Sequence, residues 1–146
     1  MKRRTFVKNC FYTVGALTFF SSFCIANENN LYPKRVKFGK EPCKRCGMPI
    51  TAKNFVVQVI NPSDNKRYNF DDIGCAISWF DEQKISWKDK AVIFVADVNT
   101  SEWLHANEAY FTFGANTPMH YGYAAFKTEQ KGVENFNFTQ VVNNIL

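Results

Sequence analysis

Two stretches predict most of the fold, Asn54-Phe-Val-Val-Gln-Val-Ile60 and Phe70-Asp-Asp-Ile-Gly-Cys-Ala-Ile-Ser-Trp-Phe80. β-branched residues dominate the first stretch and favour a strand. The turn residues that follow it predict a hairpin whose second strand is Lys66–Phe70. In the second stretch, apolar residues recur at helical spacing, which predicts a helix capped by Asp71 or Asp72.

The second half of the chain repeats this order of elements. A glycine- and proline-bearing loop, 114–122, separates two of its predicted strands. Thr128 is expected to cap a helix that begins at Glu129, and Phe138–Ile145 is expected to close the chain as a short helix or strand. The predicted strands after the first helix are Ala91–Val98, Glu108–Phe113 and Tyr123–Lys127. The sequence therefore predicts an α+β fold, with two β-β-α-β units packed side by side in one small domain.

A sulfur-rich motif precedes the first strand. Glu41-Pro-Cys-Lys-Arg-Cys-Gly-Met-Pro-Ile50 contains the thiols of Cys43 and Cys46 and the thioether of Met48. A two-residue spacer lets both sulfurs of a Cys-x-x-Cys converge on one metal ion or on each other. A thioether beside thiolates favours a soft ion such as Cu(I). The motif therefore predicts either a soft-metal site or a structural disulfide with Met48 packed in the core.

Cys75 lies at the start of the first predicted helix. It fits a small buried hydrophobe, a common environment for free cysteine. It also fits a metal ligand, because a helix start lowers a thiol pKa and favours the thiolate. Asp71 and Asp72 are interpreted as capping groups. The sequence has no glycine-rich phosphate loop, no nucleophile elbow and only two histidines, so we expect a protein that is not an enzyme.

Residues 1–26 have the pattern of a cleaved export signal, with a basic start, a short apolar run and a small residue at the end. Arg3-Arg-Thr-Phe-Val-Lys8 also fits a twin-arginine signal. We therefore expect a periplasmic protein with a polar tether at 27–40 and a metal-binding domain at 41–146. Lipidation at Cys24, and with it a membrane anchor, is not favoured because bulky Phe23 precedes the cysteine.

Charge gives no reason to expect nucleic-acid or membrane-surface binding. The signal contains four of the 18 basic side chains, which leaves 14 basic against 13 acidic ones in the rest of the chain. Removal of the signal also leaves three cysteines. An odd number leaves one thiol unpaired or makes all three available as ligands.

Several scattered motifs together resemble the NosL family, the accessory proteins of nitrous oxide reductase. The resemblance extends from Cys43 to Phe126. The matching residues are Cys46-Gly-Met48, Phe70-Asp-Asp72 with Cys75, Trp103 with Ala109, Thr117-Pro-Met119, Gly122 and Ala125-Phe126.

This resemblance implies a Cu(I)-binding periplasmic chaperone that delivers copper to the copper–sulfide centre of nitrous oxide reductase. The matching ligands would be Cys46, Met48 and Met119, and the implied fold is again two β-β-α-β units. His120 stands where the family often has glycine, so it either adds a ligand or alters the loop. Family members are commonly lipoproteins, and the poor site at Cys24 departs from that pattern.

Two other functions would use the same cysteines. A thiol–disulfide oxidoreductase would use Cys43 and Cys46, but it requires a helix beginning at the first cysteine, which Gly47 and Pro49 disfavour. A structural zinc site would combine Cys43, Cys46 and Cys75 with a histidine and would leave both loop methionines without a role.

Overall fold

The computed structural model describes residues 31–146, so the predicted export signal lies outside the described residues. Within the described range, no helix is long and apolar enough to cross a membrane. A 3₁₀ helix at Lys88–Lys90 follows the first α-helix. The other elements are β1 Val57–Ile60, β2 Arg67–Phe70, α1 Ile73–Glu82, β3 Val92–Ala96, β4 Trp103–His105, β5 Tyr110–Phe113, β6 Tyr123–Phe126 and α2 Phe138–Ile145.

The larger sheet has four antiparallel strands in the order β2-β1-β3-β4. β1 is central and fully buried, as its Val-Gln-Val-Ile sequence favours. Its one polar residue, Gln58, is satisfied: its Nε2 donates to Asn69 Oδ1 at 2.7 Å and its Oε1 accepts from Lys34 N at 2.7 Å. The hydrogen bond from Lys34, together with burial of Val36, holds part of residues 31–40 against the sheet.

Helix α1 begins where the sequence predicts it. Asp72, rather than Asp71, is its N-cap, and its Oδ1 accepts from Gly74 N at 3.0 Å. The predicted apolar stripe is buried, and the helix contacts β1, β2 and α2. Trp79 packs in an aromatic cluster with Tyr68 and Trp87. The start of α1 is thus fixed by a cap on one side and by the core on the other.

The second unit consists of the β5–β6 hairpin followed by α2. Val98 N donates to Ala125 O at 2.9 Å, which joins the hairpin to the chain just after β3. A capping box between Asn137 and Gln140 starts α2, which packs on α1 and β5. The structure confirms the predicted α+β class, with β-β-α-β-like units in one small domain.

Two details of the predicted second half are wrong. No helix begins at Glu129, because the Asn135 side chain holds 129–136 in turns: it donates to Gln130 O at 2.7 Å and accepts from Gln130 N at 2.9 Å. The closing element predicted at Phe138–Ile145 is present and is a helix. In addition, β4 was not predicted, because three residues are too few to show a strand period.

Candidate metal centre

A tight turn organises the sulfur motif. Cys43 N donates to Met48 O at 2.8 Å, and Gly47 N donates to Cys43 O at 2.9 Å. Gly47 has a φ of 75°, a left-handed conformation that glycine adopts without strain. Lys44 N donates to Asn69 O at 2.8 Å and so attaches the turn to β2. Because β2 leads directly into α1, this attachment places the turn beside the start of that helix.

The turn and the helix start bring four potential ligands together. The ligand atoms of Cys43, Cys46, Asp71 and Cys75 all lie within 4.8 Å of one another. All three thiols are free. Cys43 and Cys75 are 2% and 0% exposed, whereas Cys46 is half-buried. We call these four residues the thiol cluster. A set this compact can converge on a single ion.

Asp71 belongs to the cluster although it was predicted only as a possible cap. Its Oδ2 accepts from the Cys46 thiol, with an Sγ–O distance of 3.6 Å. Its Oδ1 is buried and has no hydrogen-bond partner within the described part of the chain, and the residue is 2% exposed. An unsatisfied buried oxygen is costly and calls for an explanation. Its position among three thiols is consistent with a role as a ligand.

Of the three thiols in the cluster, Cys43 loses its proton most readily. A hydrogen bond with Cys75 is the main cause that lowers the pKa of Cys43, to about 6; burial opposes it, and backbone hydrogen bonds from Cys46, Asp71 and Arg45 assist. The same bond, with burial, raises the pKa of Cys75. Burial is also the main cause that raises the pKa of Cys46. Near neutral pH, Cys43 is therefore a thiolate while the other two thiols keep their protons.

Arg45 reaches across the cluster from between the two motif cysteines. Its Nε and Nη2 donate to the Glu82 carboxylate at 2.6 to 3.1 Å. Its Nη1 donates to Tyr121 Oη at 3.1 Å and lies 4.0 Å from Cys75 Sγ. A guanidinium in this position favours the charged form of nearby thiols. Arg45 therefore links the turn, α1 and the 114–122 loop, a role that was not predicted.

The loop carrying Met119 is attached to the same helix start. Met119 N donates to Asp72 Oδ2 at 3.3 Å. The Tyr121 ring lies directly on Gly74, where a Cβ would overlap it, and the Tyr121 and Ser78 hydroxyls are 3.0 Å apart. This attachment brings the Met119 backbone to the residue that follows Asp71.

The predicted ligands therefore fall into two groups. Cys43, Cys46 and Cys75 are in the thiol cluster, whereas His120 is not among its members. Met119 is partly buried against the core. Met48 is 49% exposed, so it is not a core residue. His120 is exposed, with a φ of 59°.

The site does not have the geometry that was predicted for either alternative function. Among the described residues, the fourth member of the cluster is Asp71 and not a histidine, so the zinc site predicted with a histidine is not formed. The Cys43–Cys46 segment is a turn, whereas an oxidoreductase motif of the predicted kind requires a helix there.

The fold and the cluster define a small α+β protein with a thiol-rich candidate metal centre. Neither a family model nor a curated protein matches the chain. Among solved structures, the chain is similar to the copper chaperone NosL from Shewanella denitrificans. The TM-score is 0.60 at 18% sequence identity, over 75% of this chain and 96% of that one. The chain therefore has a NosL-like fold.

Proposed function

We propose that this protein is a metallochaperone whose cargo is Cu(I). The observation that supports this most strongly is the convergence of three thiols at one point of a NosL-like fold. Soft thiolate and thioether ligands select Cu(I), whereas hard cations prefer oxygen. We expect binding and release without chemical turnover, so the protein would not be an enzyme.

The exposure of the cluster suits transfer better than storage. Cys43 supplies a thiolate near neutral pH. Cys46 is half-buried whereas Cys43 and Cys75 are buried, so Cys46 is the accessible thiol of the cluster. Arg45 offsets part of the negative charge that the thiolates bring. An acceptor can therefore approach the ion through Cys46 while the buried thiols still hold it.

The cellular role extends this proposal. Residues 1–26 would direct folded protein to the periplasm by the twin-arginine route. Nitrous oxide reductase would receive the copper, for assembly of its copper–sulfide centre. The twin-arginine pattern supports export to the periplasm, and the motif resemblance supports copper transfer to nitrous oxide reductase.

Met119 would add a ligand from across the domain to Cys46 and Met48. Met119 N donates to Asp72 Oδ2, and this hydrogen bond fixes the backbone of the residue that carries the thioether. We expect Met119→Leu, close in volume, to keep the fold but weaken Cu(I) binding at least about tenfold, roughly 1.4 kcal/mol. The measurement is an anaerobic titration of reduced protein against a chromophoric Cu(I) chelator.

His120→Gly is the matched control in the same loop. Its left-handed backbone accepts glycine without strain, so Cu(I) affinity should change less than in Met119→Leu. Equal affinity in wild type and Met119→Leu would remove Met119 from the site and leave the Cys-x-x-Cys motif as the remaining candidate.

A structural zinc site is the second candidate function, and Asp71 Oδ1, which has no hydrogen-bond partner among residues 31–146, favours it. Three cysteine sulfurs and one carboxylate oxygen match the four ligands of a closed tetrahedral zinc site. Asp71→Asn should then weaken Zn(II) binding at least about tenfold, with little effect on Cu(I), since a neutral amide is a poor zinc ligand. Unchanged Zn(II) affinity in this variant would argue against this function.

A further inference from the structure

The thiol cluster divides into a buried pair and one accessible thiol. Cys43 and Cys75 are almost fully buried, and their sulfurs lie within 4.8 Å of each other. They come from different elements, the sulfur-motif turn and α1. Cys46 is more exposed, and its thiol donates to Asp71 Oδ2.

We propose that Cys43 and Cys75 form a reversible disulfide, which leaves Cys46 as the free thiol of the cluster and makes metal binding depend on redox state. For its consequence on copper, this inference rests on the proposed function. The Sγ atoms lie within 4.8 Å of one another, and a disulfide bond is about 2.0 Å long. Rotation of the two side chains can close this gap, because both sulfurs already lie in the same compact cluster.

Thiol–disulfide exchange with a small disulfide such as oxidised glutathione supplies the reaction. The accessible Cys46 thiol first loses its proton and then attacks it, which gives a mixed disulfide and one glutathione thiolate. Cys43, whose sulfur lies within 4.8 Å of both other cysteine sulfurs, attacks the Cys46 sulfur and expels the second glutathione. Cys75 then attacks Cys43 and releases Cys46. In total, two protein thiols lose two electrons and two protons, and oxidised glutathione becomes two glutathione thiols.

The Cys43–Cys75 bond is favoured over a Cys43–Cys46 bond because it joins the two buried thiols and preserves the contact between Cys46 and Asp71. The loop that it closes contains β1, β2 and the start of α1, so the bond would also stabilise the fold by removing entropy from the unfolded chain. The bond would link the sulfur motif covalently to the helix. It would also leave only one of the three cysteines able to bind a metal.

The test uses the metal-free wild-type chain from Asn27 onward, without the export signal and its two cysteines, Cys10 and Cys24. The reduced protein is treated with oxidised glutathione, remaining thiols are alkylated, and the protein is digested without reductant for peptide mass mapping. We expect a linked Cys43–Cys75 peptide and alkylated Cys46. In Cys75→Ser this linked peptide must be absent, which controls the assignment of its mass.

The oxidised protein should bind Cu(I) at least about tenfold more weakly than the reduced protein. A Cys43–Cys46 link with alkylated Cys75, or alkylation of all three cysteines, would overturn the inference. Equal Cu(I) affinity of the two forms would overturn its redox dependence. If the reduced protein does not bind Cu(I) but the Cys43–Cys75 link forms, the proposed function fails and the disulfide stands.

Discussion

Replacement of Gly74 by alanine tests how the Met119 loop is seated on α1. An alanine Cβ would overlap the base of the Tyr121 ring, which cannot swing aside as the tip of a flexible side chain can. At most helix positions this change stabilises by up to about 1 kcal/mol. Here overpacking costs about 1–3 kcal/mol. A displaced Tyr121 ring would also break the hydrogen bonds of its hydroxyl with Ser78 and Arg45, and each loss would destabilise the fold by about 1 kcal/mol.

We therefore expect Gly74→Ala to destabilise the protein by about 2–3 kcal/mol, a reversal of the usual sign. Urea unfolding of reduced, metal-free protein measures the change, and the melting temperature should fall by at least roughly 5 °C. Cu(I) affinity should fall as well, because a displaced Tyr121 moves the loop that carries Met119.

The matched control is the same substitution in a Tyr121→Ala background. With the ring removed, Gly74→Ala should be neutral or stabilising by up to about 1 kcal/mol. Equal destabilisation of both backgrounds, or stabilisation of the wild type, would show that the Tyr121 ring is not what opposes a Cβ at position 74.

Three further predictions concern the thiols and the export signal. Cys75→Ala removes the main cause of the low Cys43 pKa, so that pKa should rise from about 6 toward the ordinary thiol value of about 8.5. Titration of the thiolate ultraviolet absorbance measures this pKa, and an unchanged midpoint would contradict the expectation. Cu(I) affinity should keep rising with pH above neutrality, because Cys46 has a raised pKa and must still lose its proton; a flat profile between pH 7 and the ordinary thiol pKa of about 8.5 would contradict that. Replacement of Arg3 and Arg4 by lysine should leave the precursor in the cytoplasm, as seen by cell fractionation, whereas normal export would indicate an ordinary secretory signal.

Local sequence rules predicted the elements with strong local signals. The apolar stripe of α1 and its aspartate cap were found because both depend on residues within a few positions of each other. The same rules failed at Thr128 and Glu129, where a cap pattern is present but the Asn135 side chain holds the backbone in turns.

The candidate site was predicted only in part, for a different physical reason. Cys43 and Cys46 are near neighbours in sequence, so their convergence follows from a tight turn. The position of Asp71 in the cluster depends on how β2 carries the chain back to that turn. The contact between Arg45 and Tyr121 joins residues 76 positions apart, and no local pattern encodes it.

An anaerobic competition between Cu(I) and Zn(II) for the reduced protein would show whether the thiol cluster selects Cu(I). The thiol cluster and its neighbouring thioethers should hold one Cu(I) per chain and retain it when Zn(II) is added at equal concentration, because soft ligands prefer the softer ion. Displacement of copper by zinc at equal concentration would contradict the account and identify the cluster as a zinc site.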